Sequence, residues 1–459
     1  MDRNRSRWPL TLALCGGYFL VLLDVTVVNV ALPQVGSDLG TGSSGEAWVV
    51  DAYSVPLAAL LLASGAIGDR LGHRRVVLLG FAGFGAASVL CALAPAIGVL
   101  IAARAVQGVG AALMLPGTLA LLVEGAPDES SRARLVGMWA AIGGAALPAG
   151  PVIGGVLVHV AGWRAVFWLG VPVIVLALVP VARLPRPHGD VRRDGSVDWA
   201  GAGLLVVGLA CLVTAIVQGA DPVWPTVLLA LIAACLAVAF VVVEGRTTHP
   251  LVRVPEQARG ALVAACLVAG TMNLCVLGGL FLLTQLFQVV HGLDPLTAGL
   301  ATLPAMLPLP LLGTLSGRLG SRIGVWRTSA LGLLVSAAGF AGIAYCVDGA
   351  GYVTLLFFLA LWGSGLGVLT PAIVSAALAA TPDSPGTASG ASNTSRQTGG
   401  ALGVAIFAAV AGSPADSGFI PHSIGLFLGG AVVFVLAGLL CFVSARTPAR
   451  AGSALVSSR

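Results

Sequence analysis

Apolar runs recur from one end of the chain to the other, and each is long enough to cross a hydrocarbon core of ~30 Å. Their boundaries predict fourteen membrane spans, at about 10–33, 47–67, 76–94, 99–122, 135–158, 164–182, 198–217, 225–244, 260–290, 297–316, 327–346, 352–378, 393–412 and 420–443. The first run follows a short basic prefix (Arg3, Arg5, Arg7), is too long for a signal-peptide core and leads directly into further spans, so it is expected to be retained. No connection exceeds about 20 residues, which leaves no room for a soluble catalytic domain. The longest cytoplasmic connection, 183–197, holds Pro185, Pro187, Gly189, Asp190, Arg192 and Arg193 and reads as a hydrophilic linker.

One segment repeats. Gly65-Ala-Ile-Gly-Asp69-Arg70-Leu-Gly72-His-Arg74 follows span two, and Gly313-Thr-Leu-Ser-Gly317-Arg318-Leu-Gly320-Ser-Arg322 follows span ten. Both fit Gly-x-x-x-x-Arg-Leu-Gly-x-Arg at an expected cytoplasmic turn. The repeat makes spans 1–6 and 9–14 two copies of one orientation with spans 7 and 8 inserted, a transporter architecture that places its substrate site between the halves. The expected organisation is an N-terminal six-helix bundle over 1–182, a linker with two inserted helices over 183–259, a C-terminal six-helix bundle over 260–443 and a polar tail over 444–459.

Composition agrees and narrows the function. The 459 residues are 57% hydrophobic and 9% charged, with a mean hydropathy of +0.98, where a soluble protein carries roughly 25% charged residues. Secreted disulfide scaffolds, disordered chains and cytosolic enzymes are excluded. All 24 basic residues are Arg, and 21 fall in loops or tails on the N-terminal side of the membrane. The positive-inside rule then puts both termini in the cytoplasm, and the formal charge of +5 reflects topology rather than nucleic-acid binding. The eight Cys form no C-x-x-C pair and the six His no H-x-x-x-H pair, so neither a metal nor a cofactor is expected.

Within the spans, Asp24 reads as the only deep acid. An Asp at helix centre costs ~2.5–3.5 kcal/mol to insert, so it is expected to face a wet interior and to carry protons. Arg104, on a face with Gln107, Gly108 and Ala111, is its natural partner. Asn273, Thr284 and Gln288 fall within about 60° of one another on span nine at ~100° per residue and form a candidate substrate-facing stripe. The Gly150-Pro151-Val-Ile-Gly154-Gly155 run removes bulk from one face of span five and is expected to kink it and to admit a close neighbour. Arg396 fits a snorkelling anchor or a site residue equally well.

In order along the chain, these segments resemble the fourteen-helix drug:proton antiporters of the major facilitator superfamily. The first-helix signature is Leu23-Asp24-Val-Thr26-Val-Val-Asn29-Val-Ala31-Leu32-Pro33. The loop motif runs from Gly65 to Arg75, with His73 where Arg is commoner. The fourth-helix motif is Arg104-Ala-Val-Gln107-Gly108-Val-Gly110. Gly137 with the Gly150–Gly155 run is the antiporter motif, with Ala146 where Gly is usual. Asp198-Trp199-Ala-Gly201, His249-Pro250-Leu251 and Asn393-Thr-Ser-Arg396-Gln397-Thr-Gly399-Gly400 fit too, whereas Gly170 replaces a commoner Asn.

The resemblance implies the major facilitator fold. It implies proton coupling through Asp24 and Arg104, and a conformational latch of Gly65, Asp69, Arg70, Gly72 and Arg74, weaker in the second copy where Gly317 replaces the acid. It implies an export-specific segment of Gly150, Pro151, Gly154 and Gly155, and a cavity with Asn29, Gln107, Asn273, Thr284 and Gln288. The expected activity is proton-coupled antiport of a hydrophobic small molecule by a monomer in the cell membrane, without cofactor or nucleic-acid partner. Export of an endogenous metabolite, such as an amino acid derivative or siderophore, is the alternative within the same fold. An intramembrane enzyme is the remote one, since paired acids or a nucleophile–base pair are missing within the spans.

Overall fold

A helix closes every backbone hydrogen bond within itself, which lipid demands of a spanning segment, and all regular structure among the described residues is helical. The computed structural model describes residues 8–124, 128–184, 199–218, 223–247, 256–349, 351–381 and 385–446. Arg3, Arg5, Arg7, the linker over 185–198, His249-Pro250-Leu251 and the tail beyond 446 lie outside them.

The helices are α1 (Trp8–Leu39), α2 (Ser43–Leu71), α3 (His73–Ala92), α4 (Ile97–Glu124), α5 (Glu129–Ala161), α6 (Arg164–Trp168), α7 (Gly170–Ala182), α8 (Trp199–Gln218), α9 (Val223–Arg246), α10 (Glu256–Gln285), α11 (Pro295–Met306), α12 (Pro308–Leu311), α13 (Gly313–Ile323), α14 (Val325–Cys346), α15 (Tyr352–Ala380), α16 (Pro385–Ala411) and α17 (Phe419–Arg446). A π-helical turn, Leu286–Val290, ends α10. Among the described residues eleven spans are long and apolar enough to cross a membrane, or twelve if the pair bent by 49° at Leu312 counts as one. Of the fourteen expected spans, α2 and α16 fall outside that number. Both are packed in the middle of the molecule, α2 against α4 and α16 and α16 against α10. Shielded from lipid, they can hold Glu46, Asp51 and Arg396.

Helices α1–α7 pack mainly among themselves, α1 on α5 and α7 and α4 on α2 and α3; α10–α17 do likewise, α10 on α16 and α14 on α15 and α17. The two groups meet along α2–α16 and α5–α11. Helices α8 and α9 pair with each other, and α8 touches α2 and α16. Only Ala233 of α9 is buried, while Leu231, Val238 and Val241 face outward, as a lipid-facing helix requires.

The repeated segment is helical in both copies but turns at different places. The first copy breaks at Gly72 (φ 87°); the second continues through Gly320 and breaks at Gly324 (φ 88°). Positive φ is cheap only for glycine, and the motif's own glycine takes the turn in the first copy while a later glycine takes it in the second. Pro148 and Pro151 both sit within the continuous helix α5.

Candidate functional site

Asp24 and Arg104 meet directly. Arg104 Nη1 donates to Asp24 Oδ2 at 2.5 Å, with Arg104 fully buried and Asp24 5% exposed. Gln107, one turn along α4 from Arg104, ties the pair together: its Nε2 donates to Asp24 Oδ1 (3.2 Å) and to Ser88 Oγ on α3 (3.0 Å), and its Oε1 accepts from Arg104 Nη1 (2.8 Å). Arg104 Nε donates to the Val49 carbonyl of α2 (2.9 Å), and the guanidinium lies 4.3 Å from the Tyr53 ring centroid. Tyr53 is fixed in turn by its hydroxyl, which donates to the Val21 carbonyl of α1. Arg104 Nη2 has no partner. Carboxylate and guanidinium therefore meet through one nitrogen rather than as a bidentate fork, and the cation keeps three other anchors if the acid is neutralised.

Asp24 is not the only deep acid. Asp51 on α2 is 0% exposed and neither carboxylate oxygen has a hydrogen-bond partner. Glu46, one turn earlier, is buried and accepts from Gln285 of α10. Sequence reading passed over both because each lies at or near the predicted start of span two, where an acid reads as interfacial. Packing of α2 among its neighbours, with Gln285 of α10 set against Glu46, buries both acids.

The end of the bundle away from residue 8 is closed by contacts between the two helix groups. Besides Glu46–Gln285, Gln288 Nε2 in the π turn donates to the Val30 carbonyl (2.9 Å), and His159 Nδ1 lies 3.5 Å from Asp294 Oδ1. Asp294 caps α11 and its carboxyl is held below the usual range by hydrogen bonds from the Thr297 side chain and backbone, with His159 contributing. The glycines of α5 divide between two partners. A Cβ on Gly150 would strike Thr26, and one on Gly154 would lie 2.9 Å from the Val27 carbonyl, both on α1; one on Gly155 would lie 2.8 Å from Leu296 Cα on α11. Gly299 of α11 answers by fitting against the Pro151 carbonyl.

A narrow cavity of about 10 Å³, room for little more than one water, lies between the groups and is lined by Thr26, Asn29, Val30, Pro151, Thr284, Gln288 and Thr302 among others. It brings together three of the five candidate cavity residues. Gln107 lies in the Asp24 network instead, and Asn273 donates to the Arg396 carbonyl (2.9 Å). Of the latch residues, Arg74 donates to the Ala182 carbonyl at the end of α7 (2.6 Å), Arg70 is exposed, Gly65 faces open space and Gly72 makes the turn. The Asp69 side chain is outside the described residues.

Residues 14–404 match the Major Facilitator Superfamily. The chain belongs to that superfamily. It is 36% identical over 397 residues to the Methylenomycin A resistance protein of Bacillus subtilis, covering 85% of this chain and 84% of that one. It is 32% identical over 396 residues to the Methyl viologen resistance protein SmvA of Salmonella typhimurium, covering 85% and 79%. A crystal structure of the peptide transporter POT superimposes with a TM-score of 0.69 at 17% identity, covering 95% of this chain and 94% of that one, which establishes the shared fold. This facilitator is a multi-span membrane transporter and not an enzyme.

Proposed function

We propose that this facilitator is a fourteen-span antiporter that exports hydrophobic small molecules, drugs or antibiotics among them, in exchange for protons. Its bundles comprise residues 1–182 and 260–443, with both termini cytoplasmic. The buried Asp24–Arg104 pair, bridged by Gln107, carries the reading. Protonating Asp24 cancels the pair's attraction while Val49, Gln107 and Tyr53 keep Arg104 in place. The acid can thus take up a proton without a buried cation being cast loose, and the hold of α1 on α4 is weakened. Asp51, buried with both carboxylate oxygens free of hydrogen bonds, is a second proton carrier in this scheme.

With the termini inside, the contacts between α5 and α11, and between Glu46 and Gln285, close the outer side. Alternating access then consists of opening the α5–α11 seam while the opposite end closes. The names of the two relatives, each a resistance protein, support a drug-sized cargo. The deciding experiment is substrate efflux from proteoliposomes under an imposed proton gradient, with Asp24→Asn as the comparison. Gradient-driven efflux equal to wild type in that variant would refute proton coupling through Asp24.

A further inference from the structure

Arg396 is a half-buried cation that the scheme above does not use. It lies on α16, its Nε has no hydrogen-bond partner, and no carboxylate pairs with it among the described residues. Arg104, by contrast, has Asp24. Among the described residues, the phenol of Tyr18 is the titratable group within electrostatic reach of Arg396. Asn273 of α10 holds the Arg396 carbonyl, which fixes the backbone from which the guanidinium extends.

Beside it lies an aromatic surface. The Tyr18 ring stacks on Trp139 of α5 with centroids 3.6 Å apart and planes inclined by 7°. Gly143 makes room for Tyr18, because a Cβ there would overlap its ring, and Trp139 Nε1 donates to Thr118 Oγ1 at 3.4 Å. Tyr18, Trp139 and Arg396 each lie ten or eleven residues into their helices, which places them at about the same depth at ~1.5 Å per residue.

The cluster also lies in line with the pocket. Tyr18 and Asn29 are eleven residues apart on α1, as are Asn273 and Thr284 on α10. Eleven residues bring a helix to within ~20° of the same face and ~16 Å further along. Asn29 and Thr284 line the pocket; Tyr18 and Asn273 mark the same two faces nearer the termini.

We propose that Arg396, Tyr18 and Trp139 form a recognition site for planar aromatic substrates that carry an acidic group. The guanidinium pairs with the carboxylate or phenolate, which completes a half-buried cation that lacks a counter-ion, and the ring lies against the aromatic pair. This names a substrate class for the export reading above and rests on it.

The test uses the full chain in phosphatidylcholine nanodiscs and needs no gradient. The probes are 3-hydroxy-2-naphthoate, its methyl ester and cyclohexanecarboxylate, with binding followed calorimetrically. Wild type is expected to prefer the naphthoate over the ester by about tenfold or more, one decade or ~1.4 kcal/mol. Arg396→Gln removes that preference, Arg396→Lys retains part of it, and Tyr18→Leu weakens naphthoate and ester together. An undiminished preference in Arg396→Gln would overturn the proposal. So would cyclohexanecarboxylate binding as tightly as the naphthoate, or displacement of the naphthoate by phosphatidylglycerol added to the nanodisc, which would give the guanidinium to lipid headgroups. The two readings fail separately. Acid-selective binding without proton-driven efflux sinks export and leaves the site, whereas proton-driven efflux of a neutral substrate without acid preference sinks the site alone.

Discussion

Replacing Asp24 by Asn keeps the volume at the centre of α1 and removes only the titration. Breaking a buried ion pair by deleting one charge costs ~3–5 kcal/mol. The Asn oxygen can still accept from Arg104 Nη1, and a hydrogen bond to a charged group returns ~1.5–3 kcal/mol. The net cost is therefore about 1–3 kcal/mol, because the Val49, Gln107 and Tyr53 contacts to Arg104 are present in both proteins. Asp24→Asn should accordingly reach the membrane folded, with a lowered thermal midpoint. Transport should suffer far more. A proton moving through ~100 mV supplies ~2.3 kcal/mol, about a 50-fold concentration ratio for a neutral substrate at RT ≈ 0.59 kcal/mol. The assay is the steady-state ratio in proteoliposomes clamped at that potential by a potassium gradient and valinomycin. The ratio in Asp24→Asn should fall by about one proton's worth, that same ~50-fold, while substrate counterflow without a potential persists. A folded variant that holds the wild-type ratio would refute the reasoning.

Gly155→Leu should slow transport by about tenfold, a barrier rise of ~1.4 kcal/mol, because its Cβ meets the α11 backbone rather than a side chain that could move; unchanged rate and unchanged cysteine accessibility at the far end would place that face elsewhere. Asp51→Asn should lower the steady-state ratio by a second factor of ~50 while changing stability by less than ~1 kcal/mol, since both carboxylate oxygens already lack partners; reversal potentials that give the wild-type proton count would exclude it as a carrier. The depressed Asp294 carboxyl contributes to the α11 cap above the ordinary carboxylate range and loses that contribution only as pH falls through its lowered value. Hydrogen-exchange protection of residues 294–299 should thus be flat from about pH 7 to 5 and reduced throughout in Asp294→Ala; a loss of protection already at pH 6 would contradict the assigned sign.

The sequence displayed whatever depends on insertion into lipid, and it hid whatever depends on which helices shield one another. Asp24 and Arg104 stood out because a charge amid twenty apolar residues has no bland explanation, and the structure joins them at 2.5 Å. The small face of α5 was equally legible, since bulk is missing from it. Asp51 and Glu46 were not legible, because their burial depends on which helices pack around α2, Glu46 meeting Gln285 of α10 more than 200 residues away. Partner information was also missing for Asn273, which bonds the Arg396 carbonyl. Its angular position on α10 was right for the stripe, but eleven residues of helix rise separate it from Thr284 and set it beside Arg396 instead. The second repeat turns later than the first, at Gly324 rather than at the motif's own Gly320.

How a proton on α1 could move α11 follows from the two-sided contacts of α5. Asp24 is paired to α4, while Thr26 and Val27, two and three residues on, pack into Gly150 and Gly154 of α5. On its other side α5 meets α11 through Gly155 and the Pro151 carbonyl, which receives Gly299. Where glycines bring helices together at backbone distance, no flexible side chain lies between them to absorb a displacement. In the proposed scheme, a shift of α1 that follows loss of the Asp24–Arg104 attraction is passed to α5 at Val27, whose carbonyl meets Gly154 directly. From there it reaches the α11 seam within one further residue, at Gly155. The glycines act in this scheme as rigid contacts rather than as flexible joints, so α5 can remain the continuous helix it is despite Pro148 and Pro151. A hinge in α5 would dissipate the displacement before it reached the seam; an unbroken helix delivers it.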